Sequence, residues 1–245
     1  MLDLDTIHHG DCLDLMHDIP DRSVDMILCD LPYGTTACKW DTIIPFAPLW
    51  AHYERIIKPK GAIVLTAQAP FDKVLGASNL RLLKYEWIWE KEAGTGFLNA
   101  KLYPLKSHEN ILVFSKGTHT YNPQMTAGKP YVCKKGGGTD NYNQDSKPVI
   151  ITKNEGLRYP KTVLRFTRDK AKLHPTQKPV ALFEYLIRTY TNEGDTVLDN
   201  CAGSCTTAIA ALNTNRRFIC IEQEEKYVAI GRRRVVERQP ALSLA

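Results

Sequence analysis

The sequence predicts an α/β chain, doubly wound about a mostly parallel sheet, with a lobe inserted in its middle. Three observations carry that reading. Short apolar runs bounded by polar residues alternate with stretches whose apolar residues recur at helical spacing. Three of those runs end in an acid, at Asp30, Asp199 and Glu222, and ligands of open α/β sheets bind at such strand ends. Between residues 117 and 173 all periodicity is lost, which divides the chain into segments 1–116, 117–173 and 174–245.

A chain of 245 residues buries a full core, and 43% apolar with 24% charged residues is ordinary for a folded domain. No apolar stretch approaches the roughly 20 residues of a membrane span, and the start, Met-Leu-Asp-Leu-Asp, lacks a signal-peptide pattern. Seven cysteines without a Cys-x-x-Cys pair support neither a disulfide framework nor a metal site, so a reducing cytoplasm is expected. The net charge is +5, and residues 117–173, with eleven Lys/Arg against four Asp/Glu, carry +7 of it, leaving −2 elsewhere. A basic segment on a near-neutral body is the footprint of a polyanion partner, the alternative being a solvated basic loop.

Taken in order, Ile7 to Cys12 reads as a strand and turn, with Asp11 placed to cap a short helix bearing Leu13, Leu15, Met16 and Ile19. Val24-Asp25-Met26-Ile27-Leu28-Cys29 is a buried strand running into Asp30-Leu31-Pro32-Tyr33-Gly34. Pro32 fixes its own backbone and restrains Leu31, so the Asp30 carboxylate, the Leu31 carbonyl and the Tyr33 ring are held together. Two acceptors taking both hydrogens of a nucleobase amino group would draw its nitrogen toward a more nucleophilic, pyramidal form. Asp30 and the Leu31 carbonyl supply two, and Tyr33 offers a face for an unstacked base, a contact worth about 1–3 kcal/mol. A tight turn with a capping Asp and a core Tyr is the plainer alternative.

Phe46, Leu49, Trp50, Tyr53, Ile56 and Ile57 lie on one helical face, which Pro59-Lys60-Gly61 is expected to end. Ala62–Thr66 is the next strand, 72–83 a helix, and 85–89 and 110–114 further strands. His108 and Glu109 open the last of these, as acid–base groups or as structural ones. In 117–173, Tyr121, Tyr131, Tyr142 and Tyr159 interleave with basic and amide residues, which suits phosphate and base contacts.

His174-Pro175-Thr176-Gln177-Lys178-Pro179 precedes a helix with Val180, Phe183, Leu186, Ile187 and Tyr190 on one face. Asp195–Asp199 is a strand entering Asn200-Cys201-Ala202-Gly203-Ser204-Cys205-Thr206-Thr207, followed by helix-forming Ala208 to Leu212. The next strand, Arg217–Glu222, places an acid 23 residues beyond Asp199. That is a nucleoside-binding βαβ layout, in which small residues let the backbone approach and the acid grips ribose hydroxyls. No Gly-Lys-Ser/Thr occurs, which disfavours phosphoryl transfer.

Asp-Leu-Pro-Tyr-Gly resembles the (Asp/Asn/Ser)-Pro-Pro-(Tyr/Phe/Trp) signature of DNA amino-methyltransferases. The His-Pro-Thr-Gln-Lys-Pro, Val-Leu-Asp-Asn-Cys-Ala-Gly-Ser-Cys-Thr-Thr and Ile-Cys-Ile-Glu runs resemble the S-adenosylmethionine site of their β group, whose permuted order of catalytic turn, lobe and cofactor loop this chain shares. Trp89 through Gly96 and His108-Glu109-Asn110-Ile111-Leu112 are also similar to that group. The resemblance implies a Rossmann-like methyltransferase fold, with 1–116 its catalytic half, 117–173 a target-recognition lobe and 174–245 its cofactor-binding half. It implies transfer of a methyl group to N6 of a flipped adenine in double-stranded DNA, in a bacterial nucleoid or from a phage. Asp30, Leu31, Pro32 and Tyr33 would form the catalytic turn. Asp11 with Cys12, Asp30, Asp199, Cys201, Gly203, Ser204, Thr206 and Glu222 would line the cofactor, and His174, Thr176, Lys178 and Phe183 would close over it. A homodimer is common in the group.

Leu31 replaces a proline but keeps the carbonyl. Cys205 replaces a glycine; a Cβ there is costly if the position has positive φ and harmless if it is helical. Asp at the head of the turn favours adenine over cytosine N4, and the absence of any Pro-Cys pair disfavours carbon-5 methylation. A DNA-binding relative with an inactive cofactor site, marked by Leu31, Asn200, Cys201 and Cys205, is the rival of another class.

Overall fold

The computed structural model describes residues 2–35, 38, 41–135, 150–170 and 177–238. The strands are β1 Thr6–His9, β2 Val24–Asp30, β3 Ile57–Ala67, β4 Leu83–Thr95, β5 Lys106–Phe114, β6 Thr126–Ala127, β7 Tyr131–Lys135, β8 Ile150–Asn154, β9 Leu157–Arg158, β10 Val163–Arg165, β11 Thr196–Asp199 and β12 Arg217–Glu222. The helices are α1 Cys12–Leu15, α2 Phe46–Ile56, α3 Phe71–Ser78, α4 Val180–Tyr190, α5 Thr206–Asn213 and α6 Glu225–Arg238. Eight strands form one sheet in the order β1-β12-β11-β2-β3-β5-β4-β10, parallel except where β5 runs against its neighbours β3 and β4.

Alternation along the strands splits the core into two layers. Met26, Leu28, Ala62, Val64, Val197, Phe218 and Cys220 pack with Leu182, Leu186, Ala208 and Val228 of α4, α5 and α6. Ile27, Cys29, Ile63, Leu65, Leu198, Ile219 and Ile221 pack with residues of α1, α2 and α3, among them Cys12, Leu49, Tyr53, Ile56, Phe71 and Leu75. The chain leaves β2 for the second layer and β11 for the first, and these two strands are neighbours in parallel register, Val197 beside Met26. The order therefore reverses between β2 and β11, which opens a crevice beyond their carboxyl ends.

Several elements differ from the sequence expectation. Pro59-Lys60-Gly61 does not end α2 but lies within β3, since the N–H groups of Arg22 and Ser23 bond the Arg55 and Ile56 carbonyls and draw Ile57 beside Val24. The register slips before Met26, where a Cβ on Gly61 would lie 2.7 Å from the Asp25 carbonyl oxygen. The helix expected over 72–83 closes at Ser78, and Leu83 already pairs with Phe114.

The insert is also narrower than 117–173: the chain divides into one unit of Met1–Asn122 with Thr162–Ala245 and a second of Pro123–Lys161. Asn122 N–H donates to the Thr189 carbonyl at 2.7 Å, and β10 extends the main sheet beside β4. The smaller unit is not structureless, for β6 pairs with β9 and β7 with β8, both antiparallel. Within it Arg158 binds the Lys129 carbonyl and the Asn154 side chain and lies 4.7 Å from the Tyr131 ring. No helix among the described residues is long and apolar enough to cross a membrane.

Candidate active site

Beyond the ends of β2 and β11 lies a cavity of about 700 Å³, within the range that holds a small-molecule ligand. Asp11, Cys12, Asp30, Leu31, Pro32, Tyr33, Lys178, Phe183, Asp199, Cys201, Gly203, Ser204, Thr206 and Glu222 all line it. His174 and Thr176 lie outside the described residues.

The β2 turn is rigid for reasons beyond Pro32. The N–H groups of Gly34 and Thr35 donate to the two oxygens of the buried Asp41, each at 2.9 Å. Gly34 has φ 66°, in the left-handed region open to glycine. Asp30 Oδ1 accepts from the Tyr33 hydroxyl at 2.6 Å and from the Thr66 hydroxyl, while Oδ2 faces Lys178 Nζ at 2.6 Å. Tyr33 thus has a donor role that the sequence did not suggest, and its ring stacks on Phe71 at 5.1 Å between centroids. Burial, with the Asp30 and Glu109 charges beside it, holds its phenol well above the usual range, so the donor is kept.

The β11 turn is held by its own acid. Asp199 accepts from Cys201 N–H at 3.1 Å and from the Thr207 hydroxyl. Burial pushes its carboxyl up to about 6 against those two donors, and the nearby Asp30 charge adds to the rise. Glu222, at the end of β12, takes Gly203 N–H at 2.6 Å and Glu224 N–H at 2.8 Å, one on each oxygen. Burial raises its carboxyl as well, against the backbone donors. Each oxygen keeps a lone pair for a ligand hydroxyl. Asp11 does two things at once: it caps α1 through Leu13 N–H at 2.7 Å and lines the cavity.

Cys205 stands at φ 60°, ψ 43°, the strained alternative of the two the sequence left open. Its side chain is sealed from solvent beside Ile7 and Gly231, which excludes a reactive thiol exposed at the α5 N-terminus. A Cβ in that conformation costs about 1–2 kcal/mol. Cys205→Gly is expected to tighten binding of S-adenosylmethionine several-fold, and equal affinities in calorimetric titration would refute this.

The sequence missed the charged wall of the cavity. Glu109 was open as acid–base group or structural residue, and its neighbour His108 points to solvent. Glu109 itself is buried, 2.5 Å from Lys91 Nζ and 3.2 Å from Lys178 Nζ, and both Glu109 and Lys91 line the cavity. The contact between Lys91 and Glu109 depends on β4 pairing with β5, a long-range register that no local spacing announces.

The DNA methylase family profile matches residues 24–233, which include both turns and the wall between them. The chain belongs to the N6/N4 DNA methylase family. It is similar to the DNA adenine methyltransferase YhdJ of Escherichia coli K12, 30% identical over 94% of this chain and 82% of that one. It is equally similar to the type II methyltransferase M1.MboII of Moraxella bovis, 30% identical over 93% of this chain and 95% of that one. The crystal structure of the M1.HpyAVI–SAM complex superposes with a TM-score of 0.63 at 25% identity, over 94% of this chain and 98% of that one. The methylase is thus an enzyme with a Rossmann-like fold whose substrate is DNA.

Proposed function

We propose that this methylase transfers a methyl group to the exocyclic N6 of adenine in a base flipped out of duplex DNA. Its donor is S-adenosylmethionine, which supplies a methyl already activated on a sulfonium. The residues present fit that group: paired lone pairs on Glu222 suit ribose hydroxyls, the Gly203 backbone allows close approach, and Asp199 offers an anion to a cationic ligand. Lys178 and Phe183 line the same cavity, and Ser204 and Thr206 tie the turn to the 177–178 segment through the Gln177 side chain and the Lys178 carbonyl.

The chain's own part in the reaction is positioning. Asp30 and the Leu31 carbonyl take the two amino hydrogens, which concentrates the nitrogen lone pair along the direction of attack. Asp30 then accepts the proton released on transfer. Tyr33, braced by Phe71, gives the base a flat neighbour and keeps Oδ1 of Asp30 oriented. The observation that carries the reading is the meeting of Asp30 with Asp199 and Glu222 in one cavity at the crossover between β2 and β11. The aspartate at the head of the turn and the adenine-methylating relative favour adenine over cytosine N4.

The smaller unit, basic and carrying exposed Tyr131, Val132, Leu157 and Tyr159, serves target recognition. The enzyme works in a reducing cytoplasm, where its seven thiols stay free. Long-read modification mapping of DNA treated with the protein and S-adenosylmethionine tests the reading. N6-methyladenine at one sequence supports it, N4-methylcytosine redirects it, and no mark at all leaves a DNA-binding relative.

Asp199 gives a pH dependence with a definite sign. Its carboxyl, at about 6 in the free protein, is protonated below that pH, and a cationic ligand favours the ionised form. Binding of S-adenosylmethionine should therefore tighten as pH rises from 5 to 7, by up to roughly ten-fold per pH unit below the midpoint, and level off above. Calorimetry across this range should show the slope in the wild type and its loss in Asp199→Asn.

A further inference from the structure

Four charges form a continuous chain along the cavity wall. Lys178 Nζ stands 2.6 Å from Asp30 Oδ2 and 3.2 Å from Glu109 Oε2, and Lys91 Nζ stands 2.5 Å from Glu109 Oε1. The side chains of Lys178, Lys91 and Glu109 are only 5%, 6% and 10% exposed. Two ammonium groups and two carboxylates sum to zero, but burying them still costs several kcal/mol per ion before their attraction is counted, and apolar residues of equal volume would stabilise the fold as well or better. Stability alone does not account for the cluster.

Its geometry at Asp30 does. Oδ1 is filled by the Tyr33 and Thr66 hydroxyls. Oδ2 takes Lys178 Nζ and keeps one lone pair, so the ammonium decides which direction remains for an incoming amine. Lys178 leans toward Asp30, since Glu109 Oε2 makes no well-angled hydrogen bond and holds it by charge at the longer distance. We infer that Glu109, anchored by Lys91 and acting through Lys178, is a positioning residue that sets the orientation of the Asp30 carboxylate and the balance of charge around it at the amine. This rests on the reading of Asp30 as the amine acceptor.

Burial alone would lower the Lys178 ammonium, but Asp30 and Glu109 outweigh it and hold it above its ordinary value. Burial would likewise raise Glu109, and Lys178 and Lys91 overcome it. The groups facing Asp30 are Tyr33 of its own turn, Cys29 before it on β2, Thr66 of β3, Lys178 ahead of α4, Glu109 of β5 with Lys91 of β4 behind it, and Asp199 at the end of the adjoining β11. Removing Lys178 takes the ammonium from Asp30 Oδ2 and leaves the wall with one negative charge in excess. Removing the Glu109 charge leaves the wall with one positive charge in excess and frees Lys178 from its second carboxylate. A merely structural role would not move the two in opposite directions.

The test follows the acid limb of the pH profile of single-turnover methylation by the full chain. Wild type, Lys178→Met, Glu109→Gln and the double variant are compared. The midpoint should rise by about one pH unit or more in Lys178→Met and fall in Glu109→Gln. The double variant keeps Asp30 with Lys91 at zero net charge, should lie between, and serves if a single variant fails to fold. In steady-state assays kcat should fall about ten-fold in Glu109→Gln with KM for DNA little changed, and Lys178→Arg should keep part of the rate that Lys178→Met loses. Midpoints that stay together or move the same way overturn the inference while wild-type methylation stands. Absence of methyl transfer by the wild type removes the functional reading, and with it this inference.

Discussion

Asp30→Ala is expected to lower the single-turnover rate of methyl transfer by about 10³-fold or more while leaving the affinity for S-adenosylmethionine within a few-fold of wild type. The rate loss follows from the role proposed for Asp30, which would draw one amino hydrogen before transfer and receive the proton after it. Positioned proton acceptors contribute about 10²–10⁴-fold, and the loss of amine orientation adds to that. Binding should be spared because Asp199 and Glu222, the acids proposed to hold the donor, are anchored by Cys201 N–H, Gly203 N–H and Thr207 rather than by Asp30. Alanine also strands Lys178 beside Glu109, so Asp30→Asn is the companion variant. It keeps the size of the side chain and one acceptor oxygen but cannot take a proton, and it should lose nearly as much rate. Quench-flow with labelled donor measures the rate and calorimetry the affinity. A variant that methylates at the wild-type rate would remove Asp30 from the mechanism.

What could be read from the sequence, and what could not, divides along the range of the interactions. Asp30, Asp199 and Glu222 were legible because each ends a short apolar run, and in a parallel sheet the strand ends converge whatever the loops do. The helical faces that pack on the sheet were legible as well, since helical spacing is local. Tyr33 was legible as an aromatic at the site but not as a donor to Asp30, because that bond depends on the exact course of the turn around Asp41. Glu109 and Lys91 were illegible as partners, because they are 18 residues apart and meet only through the β4–β5 register. The insert was read as structureless because β6 to β9 expose most of their side chains, which erases the period-two pattern. β10, three residues long, is recruited by the edge of β4 and has no signal of its own.

The second large effect concerns a glycine far in sequence from both turns. Gly231 sits in α6, where glycine costs about 1 kcal/mol relative to alanine, so its presence calls for a cause. A Cβ built there would run into Cys205 Sγ and lie 2.9 Å from Ile7 Cδ1, and both neighbours are buried. Where the resembled family has a glycine in the cofactor turn, this chain has a thiol, and the missing side chain at 231 is the space that thiol fills. Gly231→Ala should therefore destabilise the protein despite its better helix propensity, since overpacking a filled core costs about 1–3 kcal/mol, and Gly231→Val should cost more. In the Cys205→Gly background the sign should reverse. The thiol is gone, only the end of the Ile7 side chain remains within reach, and the methyl occupies the vacated volume, so the better helix propensity makes Gly231→Ala stabilising there. Thermal unfolding of the four proteins gives the cycle, with about 2–4 °C expected per kcal/mol for a chain of this size. The same cycle should appear in cofactor affinity, because α6 also holds the turn through Arg234, which donates to the Ser204 carbonyl. If Gly231→Ala has the same effect in both backgrounds, the two positions are independent, and the turn does not owe its shape to the helix behind it.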